Sequence, residues 1–592
     1  MAISDTLSSI ATNLSNAYDA LSAKGATIPA FKNIENLASA IATISAGGGI
    51  DEGIEAMLNK SIYTYSNSTR TSIPAYGFYV QSNLSEISLP ALTYIDRYGF
   101  YGAGLQSVYL PELVSMGSDA LAGLSATQIE LPKLEYIPES GFIYNWYLQT
   151  IIAPSVSYMG KNAFYNNRVL TSVSLPLCTN VGISAFALCY ALSSIELPLV
   201  EDVGFNAFSN CSALQNVSFP NLTYINGLAF NRCSSLSSIS FSNVVDIGEY
   251  AFQSCGITTL SNGDLPQCNH LSSGAFENCA SLTSVDLPMV GSLVIREEGT
   301  EDEYEDYGEC GAGAFTNCPQ LSQAFLSGLG FVPSSIFMNC PSLTSFEFNN
   351  EEVWEIGDQA FENTGLTSVD FDELFPNAEE IGNSIFARCS NLSYFKREDN
   401  SISFMDGAFE SCSNLSQILI TLADCGERTF ANTAISFIDD TNFLTIGDIG
   451  RSAFKSCPIT YINHPEGLFD IGSQAFQNIS QLSYFSSPYT YRISMSAFQG
   501  CSNLAFVRLT SVQSMAGYAF SGCNKLSVLD LQSCSSIPTI GGGIFNNTPI
   551  SKSTYLGYYG SIYVPTSLYN DFITNTNWTR YAQRITSAPV PV

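Results

Sequence analysis

Cysteine is the residue type with the most chemical promise in this chain, and its spacing argues for structure instead. Of 17 Cys, twelve stand three residues after a recurring Phe: Cys189, Cys211, Cys233, Cys255, Cys279, Cys318, Cys340, Cys389, Cys412, Cys457, Cys501 and Cys523. One thiol per repeat at one phase predicts a stacked column of small, buried, apolar side chains that stay free. Asn166 or Asn167, Thr364 and Ile479 fall near that phase elsewhere, so no partner thiol is required. Metal binding is not expected, because no Cys-x-x-Cys pair occurs and the only two His, His270 and His464, lie far apart. A Ser–His–Asp arrangement would need one of those His, and no nucleophile motif accompanies either. Glycoside hydrolysis needs paired carboxylates, but 53 acidic residues make any pair imaginable and decide nothing. No phosphate-binding or dinucleotide fingerprint appears. The chain is therefore expected to be no enzyme, with no catalytic residue, no cofactor and no metal.

Aromatic side chains are the better candidates, and their chemistry is recognition. Four residues after each Phe the chain usually carries something small, such as Ser212, Ser234 or Gly256. Three consecutive repeats depart, with Trp146, Arg168 and Tyr190, flanked by Tyr144 and Tyr147. Stacked one repeat apart, they would make an aromatic–basic–aromatic stripe. Planar rings stack on sugar faces, and a guanidinium adds fork-shaped donors. Contact with a glycan or receptor is one reading; a subunit contact and mutual packing of large residues are the others. A second candidate is Tyr555, Tyr558 and Tyr559, with Tyr563, in TYLGYYGSIY. Tyr and Gly together suit adaptable binding loops, although a cap packed on the last repeat is preferred there. The longest irregularity, residues 290–312, is rich in Glu and Asp. Calcium takes such oxygen ligands, but the spacing lacks the EF-hand order, and a solvated acidic loop is expected.

What positions these residues is a repeat of about 22 residues, marked by Phe78, Phe100, Phe142, Phe164, Phe186, Phe208 and onward to Phe545, with Leu121 filling one gap. Fixed self-similarity at this length predicts a mainly β repeat solenoid of about 20 rungs. The unit Leu170–Ala191 shows the frame: Leu170, Val173 and Leu175 alternate as a short strand, and Pro176 ends it. A second short strand ends at Val181-Gly182. Glycine recurs four residues before the Phe, at Gly160, Gly182, Gly204 and Gly248 among others, and a turn with positive φ would explain it. The concave strand positions, including Thr171, Ser172, Ser174, Ser194, Glu196, Gln215, Asn216 and Ser218, form a polar face able to hydrogen-bond, with no standout constellation.

The ends differ. Ile3, Leu7, Ile10, Leu14 and Leu21 step as a heptad seam, and Ile34, Leu37 and Ile41 resume it before Gly47-Gly48-Gly49. A short hairpin packed on the first rung and self-association are both open, the latter as a homo-oligomer with a trimer favoured. Residues 1–49 are thus read as a helical oligomerisation or attachment module, 50–75 as lead-in and cap, 76–550 as the solenoid and 551–592 as the C-terminal cap. In that cap, Ile562 to Pro565 reads as the last strand and Ser567 to Arg584 as one amphipathic helix.

The motifs AFxxC, LxxVxLP and IGxxAF, as in Ala207-Phe208-Ser209-Asn210-Cys211 and Ile247-Gly248-Glu249-Tyr250-Ala251-Phe252, resemble the BspA-type leucine-rich repeat family over about residues 75–550. The resemblance implies a bacterial surface or phage-associated binding protein. Leu21 to Pro29, followed by Leu37 to Ile41, is similar to short N-terminal modules of tailed-phage fibre-like proteins. That implies attachment to other virion or tail proteins, a place in the virion, and a host surface receptor or glycan as partner. A bacterial cell-surface adhesin is the alternative. Net charge −31 repels phosphate backbones and anionic lipid, so no nucleic acid partner is expected. No apolar run approaches the length of a membrane span, and no basic-then-apolar start resembles a secretory signal.

Overall fold

The computed structural model describes residues 63–590, except 292, 295–305, 308–309, 349–352, 399–405, 464–467 and 552–560. The proposed seam residues Ile3, Leu7, Ile10, Leu14, Leu21, Ile34, Leu37 and Ile41 lie outside the described residues. So do Tyr555, Tyr558, Tyr559, His464 and most of the acidic insertion. The chain divides into two compact units, up to Asn221 and from Leu222 on.

Each rung of the first unit has two short strands and a turn. In the rung of Phe186, Ser172–Ser174 is the first strand and Asn180–Val181 the second. First strands pair in parallel with their neighbours, Val173 against Ile151 and Ile151 against Ile129. Second strands do the same, Val181 against both Met159 and Val203. In-register parallel pairing sets residues of equal phase side by side, so a period in sequence becomes a column in space. The buried columns hold Leu, Ile, Val and Ala, and the Phe column is fully buried. Phe142, Phe164, Phe186 and Phe208 stack face to face with centroids 5.1, 5.1 and 5.2 Å apart. Each buried ring contributes roughly 1.5–3 kcal/mol. The polar positions Thr171, Ser172, Ser174, Ser194, Glu196, Gln215, Asn216 and Ser218 are all exposed. Parallel pairing already starts at Thr64–Ser66, which joins Glu86–Ser88, inside the stretch that sequence set aside as lead-in.

The turn that carries the Phe forms a third hydrogen-bonded face. Asn162 N–H donates to Ile183 carbonyl at 2.8 Å, Phe164 N–H to Ala185 at 2.7 Å and Asn166 N–H to Ala187 at 2.8 Å. The backbone manages this by placing the residues two before and two after the Phe in the left-handed region, as at Asn162 (φ 56°) and Asn166 (φ 63°). This corrects the expectation for glycine. The Gly four residues before each Phe does not have positive φ; it is Gly because the preceding rung lies against it. A Cβ on Gly204 would sit 2.7 Å from Ile183 N and 2.8 Å from Gly182 C. The left-handed positions fall largely to Asn, Ser and even Tyr and Leu, as at Tyr144 (φ 61°) and Leu188 (φ 65°).

The second unit repeats the plan with longer sheets. One parallel sheet orders eight strands from Ser368–Asp370 to Thr539–Ile540, and another orders seven from Phe437–Asp439 to Ile585–Thr586. Within the acidic insertion Leu293–Val294 pairs antiparallel with Asp306–Tyr307. The C-terminus departs from expectation. Ser561–Tyr563 is not the last strand, because Ile585–Thr586 adds to it in parallel. The single helix expected from Ser567 to Arg584 is broken into a 3-10 turn Thr566–Leu568, a helix Tyr569–Thr574 and a 3-10 turn Thr579–Arg584. The break lets Trp578 turn inward, where it is fully buried and its Nε1 donates to Pro538 carbonyl at 2.8 Å. Tyr581 meets Phe545, the last ring of the Phe series, edge-on at 5.3 Å.

Candidate functional site

All 17 cysteines are free and buried. They are more than apolar filler, which corrects the sequence reading. Cys189 Sγ donates to Phe164 carbonyl at 3.2 Å, and Cys211 Sγ to Phe186 carbonyl at 3.2 Å. In the second unit Cys255, Cys340 and Cys501 do the same to Phe230, Phe315 and Phe476. At this phase Asn145 Nδ2 donates to Leu121 carbonyl and Asn167 Nδ2 to Phe142 carbonyl, so of the two sequence candidates it is Asn167 that replaces the thiol. Burial pushes the Cys189 thiol up to about 12 and Cys178 to about 11. Neutral, enclosed thiols make poor nucleophiles. Among the described residues no group of three or more His, Cys, Asp or Glu is placed to hold a metal ion. His270 Nδ1 meets Asp246 Oδ1 at 2.7 Å on the next rung, without a nucleophile in that pair.

The aromatic candidates of the first unit are at the surface. Trp146 is 53% exposed and Tyr147 60%, with Tyr144 and Tyr190 near 40%. Tyr144 meets Trp146 edge-on at 6.4 Å and Tyr165 at 5.9 Å. Arg168 is exposed, and its Nε donates to Asn166 Oδ1 at 2.9 Å. Among the described residues no ring or cation contact joins Arg168 or Tyr190 to Trp146. The structure thus brings Tyr144, Trp146 and Tyr165 together and sets Arg168 and Tyr190 on the following rungs at the same phase.

Sequence reasoning missed the other half of this surface. Tyr76 stacks on Tyr98 at 5.0 Å and Tyr79 on Tyr101 at 5.3 Å, with edge contacts tying the two pairs together. Arg97 lies over the Tyr76 ring at 5.8 Å. Burial and the neighbouring Asp119 push the Tyr98 phenol up, and burial, Tyr79, Asp119 and Tyr144 do so for Tyr101. The signal was readable: Tyr stands two before and one after the Phe in two successive repeats. Between Tyr101 and Tyr144 the chain places Gly102 and Gly123 at the left-handed position, and a Cβ on Gly123 would meet nothing nearer than 3.6 Å. The surface is therefore two aromatic clusters flanking a bare strip of backbone. Such an arrangement offers ring faces and phenol hydroxyls, which is binding chemistry.

The sequence model of the BspA type Leucine rich repeat region matches residues 71–193, 179–293, 305–376, 330–448 and 447–564, most of the chain. The chain belongs to the BspA-type leucine-rich repeat family. Among solved structures, a leucine-rich repeat protein from Bacteroides ovatus is 22% identical, covering 64% of this chain and 78% of that one with a TM-score of 0.37. A leucine rich cell surface protein from Faecalibacterium prausnitzii is 18% identical, covering 65% and 83% with a TM-score of 0.28. The leucine-rich repeat protein of T. pallidum is 23% identical, covering 37% and 72% with a TM-score of 0.21. No curated protein matches the chain. In this BspA-type array Trp146 and the tyrosines stand on the Phe turn. Among the described residues no helix is long and apolar enough to cross a membrane.

Proposed function

We propose that this protein is a non-enzymatic recognition protein whose repeat array presents ring-lined surfaces to a partner outside the cell that makes it. The observation that carries this is the cluster of exposed Tyr144 and Trp146 with half-buried Tyr165, and its companion in which exposed Tyr79 packs with half-buried Tyr76, Tyr98 and Tyr101. Large rings held out of a fully packed core are what interfaces use, because they are rigid and lose little entropy on binding. Membership of the BspA-type family supports a bacterial cell-surface adhesin. The phage-fibre reading rests on residues 1–49, which lie outside the described residues, and the comparisons lend it no support. Tyr147, Arg168 and Tyr190 are assigned to the same binding face, with a glycan or glycoprotein as the partner.

The test is binding of the labelled full chain to intact bacterial and epithelial cells, with and without periodate oxidation of surface sugars. Saturable binding that periodate abolishes and Trp146→Ala weakens supports adhesion through this face. Binding unaffected by Trp146→Ala places recognition elsewhere, and no binding to any cell removes the adhesin reading.

A further inference from the structure

The outward face of the first strands, mostly polar in the first unit apart from exposed Tyr109, carries a row of rings in the second. Phe437, Tyr461, Tyr484 and Phe506 occupy one register position on four consecutive strands. Tyr461 is 41% exposed and Tyr484 37%, and the two Phe are half-buried. Phe437 stacks on Tyr461 at 5.5 Å, and Tyr484 on Phe506 at 5.1 Å. Tyr461 and Tyr484 are register partners, yet among the described residues no ring contact joins them. Each ring is paired to the neighbour on its far side, so the row is two stacked pairs with an interval between two phenols.

Two residues along each strand runs a second column, Asp439, Asn463, Ser486, Arg508 and Asp530. Tyr461 hydroxyl donates to Asp439 Oδ2 at 2.9 Å. Arg508 lies over the Phe506 ring at 5.2 Å, and its Nε donates to Asp530 Oδ2 at 2.6 Å. Carboxylate, amide, hydroxyl and guanidinium thus line the row of rings, holding the planar polar groups in place before any ligand arrives.

We propose that this row binds a neutral, linear glycan, with sugar faces on Tyr461 and Tyr484 and sugar hydroxyls on the Asp439–Arg508 column. The chemistry selects this occupant. Sugar rings present C–H faces to aromatic rings and hydroxyls, which both donate and accept, to a mixed column of donors and acceptors. A proline-rich segment brings carbonyl acceptors and few donors, which the Asp439 and Asp530 carboxylates cannot answer. Net charge −31 disfavours an anionic polysaccharide. The strand repeat, about 4.8 Å, supplies contacts at regular steps to a chain of regular units. The site stands on residues separate from the first-unit surface and does not depend on it.

The experiment is calorimetric titration of the full chain with cellohexaose, mannohexaose, maltohexaose and chitohexaose. Saturable binding of at least one is expected. Tyr461→Ala with Tyr484→Ala should weaken it roughly tenfold or more, as for buried anchor residues. Tyr461→Phe, which keeps the ring and loses only the hydroxyl, should retain most of it. Trp146→Ala should leave it unchanged. An unshifted thermal melt of the Ala pair shows that the fold persists. The proposal is overturned if none of the four sugars binds, if the Ala pair binds as well as the parent, or if only a polyproline peptide or hyaluronan hexasaccharide binds. Periodate-sensitive adhesion to cells through Trp146 would stand whichever of those results is obtained.

Discussion

The thiol of Cys211 donates a hydrogen bond to the carbonyl of Phe186, one rung back, at 3.2 Å. Both residues are fully buried. That carbonyl also accepts from Cys189 N–H of its own rung at 3.1 Å, so the thiol supplies its second hydrogen bond and ties the two rungs together. The thiol is small enough for the stack and still able to donate, which explains why Asn145 and Asn167 can replace it.

Cys211→Ala should therefore cost about 1–2 kcal/mol, since it removes the bond between rungs and leaves a small void, while Cys189 N–H still satisfies the Phe186 carbonyl. Cys211→Thr should cost less only by filling the void, because Thr364 and Thr433 at this phase donate to the Phe carbonyl of their own rung, Phe361 and Phe430, and not to that of the rung before. Urea unfolding monitored by circular dichroism separates them; equal losses would mean that the lost bond between rungs, and not the void, sets the cost.

Alkaline pH should loosen the array. Burial holds the Cys189 and Cys279 thiols up to about 12 against an ordinary 9.0. A folded-state pKa raised above the unfolded value leaves stability full below pH 9 and removes it as pH climbs toward 12. The melting temperature should be level up to about pH 9 and fall beyond it. A thiol reagent at pH 8 should label the chain only after unfolding; rapid labelling of the folded protein would contradict the burial of the column.

Glycine is required where rungs touch and not where φ is positive. Gly204→Ala should destabilise by about 1–3 kcal/mol, because its Cβ would meet Ile183 N at 2.7 Å. Ser456→Gly, at an exposed position with φ 63°, should change stability by no more than about 0.5 kcal/mol. Comparative thermal melts decide; equal effects would refute the close-approach account.

Asp424, Asp448 and Asp470 stand on three successive rungs, with the Arg492 guanidinium bonded to Asp470. Burial and then Asp424 push the Asp448 carboxyl up, and Arg492 partly offsets them. A raised carboxyl costs stability once pH rises above its unfolded value, near 3.8. Asp424→Asn should raise the melting temperature at pH 7 and leave it unchanged at pH 3. A gain of equal size at both values would rule out charge repulsion as the cause.

The sequence by itself determined the repeat, its strand phases, the buried Phe and Cys columns and the family, because in-register stacking turns a 22-residue period directly into columns. It also marked Trp146 and Tyr144, since a large ring breaks a frame of small residues. It misjudged the recurrent glycine, because composition cannot tell a positive φ from a backbone pressed against its neighbour. It missed the Tyr76–Tyr101 cluster, although its spacing was regular, because a frame tuned to one position after the Phe overlooks pairs spread across the turn. Only the tertiary structure decided which rings pair. Phe437, Tyr461, Tyr484 and Phe506 recur 22 to 24 residues apart at one phase, which marks a column but not how its rings pair. Parallel register brings them to one line, and the stacking of each Tyr on its outer neighbour opens the interval between the two.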